Sequence, residues 1–153
     1  MKVKFVVFKI YQMFEFDDLT GIELFELKDN LKESIKRTKS QLNNIQVSIQ
    51  RQTVEFSEMM RNFIQGHNLF IILNEEFKTI CNENVLEDEQ LQKVNQTLTQ
   101  LSDQLINRAD MIERKSQQLT IYQNQFNQLI NQLERLENTL ERVKYEIRER
   151  MKA

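Results

Sequence analysis

With 153 residues, near-balanced charge and a formal net charge of −2, the chain could hold one ordinary domain, and it lacks the basic surplus of a dedicated nucleic-acid binder. It has no proline and two glycines, so tight turns are scarce and long uninterrupted helices are favoured over a compact domain. Its one cysteine excludes an intrachain disulfide, which suits a reducing compartment, and no stretch approaches the roughly 18 apolar residues of a membrane-spanning helix.

Residues 1–16 form an apolar, basic N-terminal segment, with Lys2, Lys4 and Lys9 and no acid before Glu15. Lys9 breaks its apolar run and no small-residue cleavage site follows, so it does not match a secretory signal. Val3, Phe5 and Val7 alternate as in a strand, but Val6 and Phe8 make the other face apolar too. A lone strand is not stable, so the segment is expected to dock on a partner or on the chain's own helices. An interfacial membrane anchor is the alternative.

A coiled-coil region is expected over 17–152, with helix one at about 20–80. Thr20 and Glu23 are spaced as a capping box, and Leu19 and Leu24 as the hydrophobic staple across it. The heptad begins at once. Position d runs Leu24, Leu31, Thr38, Ile45, Gln52, Met59, Gly66, Leu73, Ile80; position a runs Lys28, Ile35, Leu42, Ile49, Phe56, Phe63, Phe70, Phe77. Such a seam must be covered by another helix. Four phenylalanines spaced by seven are too bulky for a narrow two-stranded seam, which points to a core of three or more helices there.

Within helix one, Met59, Met60, Phe63, Ile64, Leu69, Phe70, Ile71, Ile72 and Leu73 occupy a, b, c, d, e and g positions. A helix apolar nearly all round is buried nearly all round. One partner helix cannot cover that girth, so these nine residues are the expected partner-binding surface. Gly66, at d, can admit a bulky neighbour from another helix.

The pattern is interrupted at 81–90, where Asn84 falls at a and Glu87 at d. The expected turn is about 81–84, with Asn84 and Glu87 capping a second helix from about 85 to 152, and Glu87, Asp88 and Glu89 suiting its positive end. In helix two, Leu91, Leu98, Leu105, Ile112, Leu119, Phe126, Leu133, Leu140 and Ile147 fill position a without a miss. Position d holds Val94, Leu101, Arg108, Lys115, Tyr122, Leu129, Leu136, Val143 and Arg150. One continuous rod-like helix is the alternative to a hairpin, since the register is the same on both sides. The arms are nearly equal in length, however, and a parallel homodimeric rod would set Arg108 against Arg108 and Lys115 against Lys115. An antiparallel two-helix hairpin instead puts Lys115 near Gln52.

No catalytic, cofactor or metal grouping is expected. His67 and Cys81, the sole histidine and thiol, would lie roughly 21 Å apart on one helix, and two isolated glycines cannot build a phosphate-cradling loop. Basic clusters at Lys28–Lys39 and Arg142–Lys152 are interleaved with acids, as on an ordinary solvated face. The many Asn and Gln residues, thirty-one together, run through the heptad rather than forming a separate tract. The expectation is a non-enzymatic structural coiled-coil subunit or scaffold. It bundles with helical partner proteins as a hetero-oligomer in a cytoskeletal, axonemal or other multiprotein complex, and is cytoplasmic, cytoskeletal or ciliary. A membrane-associated tether or curvature scaffold is the alternative.

Overall fold

The computed structural model describes residues 16–84 and 86–153. A short 3-10 turn, Phe16–Asp18, leads into helix α1, Gly21–Glu83, and helix α2, Asp88–Lys152. The protein is all-α, and the two long helices pack against each other as an antiparallel hairpin rather than continuing as one rod. Residues 1–15, where a docking segment was expected, lie outside the described residues.

The start of α1 follows from its first four residues. Thr20 N–H donates to Glu23 Oε2 at 2.7 Å, and Glu23 N–H donates to Thr20 Oγ1 at 3.2 Å, so each side chain satisfies the other's backbone. Leu19 packs against the cluster that contains Leu24, as a staple should.

The turn differs from the sequence expectation. Helix α1 continues to Glu83, and α2 begins only at Asp88. Asn84 does not cap α2; it ends α1, with φ at 51° and its N–H donating to Cys81 O at 3.4 Å. Asparagine tolerates this left-handed conformation, which is why the turn needs neither glycine nor proline. Capping of α2 falls to Glu87, whose carbonyl accepts from Leu91 N–H at 3.0 Å and whose own N–H donates to Gln90 Oε1 at 3.2 Å. Asp88 and Glu89 occupy the first turn, where the helix dipole favours acids.

The chain divides into two compact units. The end unit holds residues 16–45 and 125–153; the turn unit is Gln46–Asn124. In the end unit Leu24, Leu27, Leu31, Ile35, Leu136, Leu140, Val143 and Ile147 form one buried cluster, with Phe16, Leu19 and Leu133 packed on it. Lys28, expected at a, is only half-buried, and Leu27 beside it is buried instead. An ammonium group resists desolvation, and Lys28 holds its Nζ 4.5 Å from the centre of the Phe25 ring. Buried Thr38 is satisfied by donating its hydroxyl to Ser34 O at 2.9 Å.

Arg150, the last d residue, has a definite task. Its Nε donates to Glu146 Oε1 at 2.8 Å, its Nη2 to Phe16 O at 2.7 Å and its Nη1 to Leu19 O, which ties the 3-10 turn to α2. Arg142 lies 5.0 Å from the centre of the Phe16 ring. Four other basic residues here are paired: Lys39 with Glu137 across the helices at 3.2 Å, and Arg37, Lys144 and Lys152 with Glu33, Glu141 and Glu149 on their own helices. The clusters are thus partly neutralised by neighbouring acids.

Candidate docking surface

The turn unit lines up four phenylalanines in one seam yet closes less core than the end unit. Its only buried hydrophobic side chains among the described residues are Leu98 and Leu105. Phe56, Phe63, Phe70 and Phe77 sit in the seam at their a positions and remain half-buried. The cause is geometric: two helices enclose a seam from two sides, and a phenyl ring at a is wider than the gap they close.

Of the nine residues expected at the docking surface, Met59, Met60, Phe63, Phe70 and Leu73 are half-buried along the seam and its edges. Ile64, Leu69, Ile71 and Ile72 point outward, with exposures from 46% at Ile71 to 55% at Ile72. A shallow groove lies between Phe56, Met60 and Ile64, with Ser57, Arg61 and Gln65 completing its lining. His67 stacks on Phe63, ring centres 6.0 Å apart and nearly parallel, and so extends the aromatic surface.

Polar groups also enter the seam of this unit. Lys115, expected near Gln52, pairs with Glu55, about one turn further along α1. Its side chain is 16% exposed, so the stem fills the seam while the ammonium reaches the rim. That hydrogen bond holds the Glu55 carboxyl below its ordinary range; partial desolvation pushes the other way, and the Lys115 and Arg51 charges add to the lowering. Gln52 is left with a buried Oε1 that has no partner. At Gly66 a Cβ would lie 3.2 Å from Leu105 Cδ2 and 3.3 Å from Arg108 Nη1. Gly66 therefore admits two side chains of α2, and Arg108, although at d, crosses it and reaches water.

Heptad reasoning confined to α1 missed exposed apolar side chains on α2: Ile106, Met111 and Ile121. Their signal was available, since each stands at an outer position where water favours a polar residue. Among the described residues no group of three or more His, Cys, Asp or Glu is placed to hold a metal ion, and no helix is long and apolar enough to cross a membrane. Cys81 is a half-buried free thiol.

No protein-family model, no curated protein and no solved structure matches this chain.

Proposed function

We propose that the chain is a non-enzymatic structural subunit whose turn unit bundles with helices of partner proteins in a cytoskeletal, axonemal or other multiprotein assembly. One observation carries this reading: the phenylalanine-filled seam of the turn unit is half-open and flanked by exposed Ile64, Leu69, Ile71 and Ile72. Exposed apolar side chains on both flanks of an incompletely closed seam mark an interaction surface. Finishing the burial of each half-exposed aliphatic side chain contributes about 1 kcal/mol, so the four together supply about 4 kcal/mol before any aromatic contact is counted. The exposed b and c positions face away from the hairpin's own seam, so covering them would take helices beyond the hairpin.

Changing Ile64, Ile71 and Ile72 together to Gln tests the surface as a whole. Helicity should be retained, and the chain should be lost from its native assembly. A triple variant that still assembles normally would contradict the proposal.

A further inference from the structure

Resting on the docking surface proposed above and dividing it, we infer that its Ile64 and Ile71 side closes against a second copy of this chain, giving a four-helix bundle, and that the opposite side, with Leu69 and Ile72, is the one left for partner proteins. Around a helix the order of positions is g, d, a, e, b, so the a residues border the e and b side. In an antiparallel pair the e and b positions of both helices share one face. That face is therefore the one whose covering completes the burial of Phe56, Phe63, Phe70 and Phe77.

Its charge is distinctive. The nineteen b and e positions within 46–74 and 92–123 hold a single charged residue, Glu113, counting His67 as neutral. The same positions of the end unit carry Asp29, Lys32, Lys36 and Lys39 on α1 alone. The opposite side of the turn unit, over the same span, carries Arg51, Glu55, Glu58, Lys93 and Arg114. An uncharged, partly apolar face rejects a charged partner, whose ionised groups would be desolvated without counter-charges. It accepts a surface like itself, and a two-fold dimer brings it one.

Ile64 and Ile106 mark the centre of this face. Both are at b positions and exposed, and they lie between the Glu55–Lys115 pair and the contact of Gly66 with Leu105. From Gln46 to Asn74 the face is about 40 Å long at 1.5 Å per residue, and it is two helices wide. With helix axes about 10 Å apart, it offers on the order of 800 Å² per copy, the size of a stable standard interface. Leu69 and Ile72, at g and c, point to the other side and stay available for the partners proposed above.

The test is the mass of the purified full chain in solution, by sedimentation equilibrium at micromolar concentration. The expected mass is twice the 18.5 kDa of one chain. Ile64→Lys with Ile106→Lys should raise the dissociation constant by more than about 30-fold with helicity retained, as loss of a central contact does. Leu69→Lys with Ile72→Lys should leave the dimer unchanged. A wild-type chain of single mass would overturn the inference, as would a dimer indifferent to Ile64→Lys and Ile106→Lys. Equal disruption by both pairs would also overturn it, because it would mean unspecific association. If Leu69→Lys with Ile72→Lys leaves native assembly intact while the dimer persists, partner docking fails and the dimer stands.

Discussion

The same substitution at three leucines should read out the burial gradient of the hairpin. Leu31 in the end unit is 1% exposed and belongs to its buried cluster. Leu31→Ala loses the full transfer free energy of the side chain and leaves a cavity that two rigid helices cannot collapse, so it should cost about 3 kcal/mol, within the usual 2–5. Leu101, at d in the turn unit, is half-buried. Roughly half the transfer term is at stake and water enters the gap, so Leu101→Ala should cost about 1.5 kcal/mol. Leu69 is 52% exposed on the outer face, and Ala is a slightly better helix former, so Leu69→Ala should change stability by less than about 0.5 kcal/mol. Urea unfolding followed by circular dichroism measures all three, with an unchanged slope expected if only stability moves. Equal losses at Leu31 and Leu69, or a larger loss at Leu101 than at Leu31, would refute the burial pattern.

At Gly66, Ala should stabilise by up to about 1 kcal/mol through helix propensity, because the two atoms it approaches are ends of flexible side chains; Gly66→Leu should destabilise, since Leu105 cannot leave the seam. Thermal unfolding checks both signs. Asn84→Gly should leave stability equal or raise it, while Asn84→Val should lower it by about 1–2 kcal/mol, because a β-branched residue resists a φ of 51°. Glu55 gives a pH signature. Its folded-state pKa is lowered by the Lys115 hydrogen bond, so its contribution is present at neutral pH and is lost as pH falls through that lowered value. Lys115→Met should return the Glu55 carboxyl toward its ordinary range in an NMR titration and flatten the acid limb of the stability curve; an unmoved Glu55 would count against the pairing.

Much of the fold was legible because a seven-residue repeat states both the helix and the face it must bury. The capping box at Thr20 and Glu23 marked the start of α1 for the same reason: a short hydroxyl and a longer carboxylate three residues on can satisfy each other's backbone in few other ways. The end of α1 was harder. Asn84 followed by Glu87 matches a helix start, but asparagine serves equally well as a left-handed terminator, and only the backbone angle separates the two. Lys28 and Arg108 show a second limit. A heptad assigns positions, whereas a charged head at a or d can leave the seam while its stem stays, so the position alone does not give the burial. Arg150 interrupts the apolar d series, and its role is visible only with the carbonyls of Phe16 and Leu19, more than a hundred residues away in sequence.

For the docking surface the sequence supplied the girth of 59–73 but not the division into sides, which depends on how α2 lies beside α1. The most direct measurement is site-specific photo-crosslinking in the native assembly, with a benzoylphenylalanine at Ile72. Adducts to a discrete helical segment of one partner chain are predicted, and the same probe at the exposed polar position Gln117 should give none. Absence of adducts at Ile72, or the same scattered adducts at both positions, would contradict the claim that the turn unit is completed by helices of other chains.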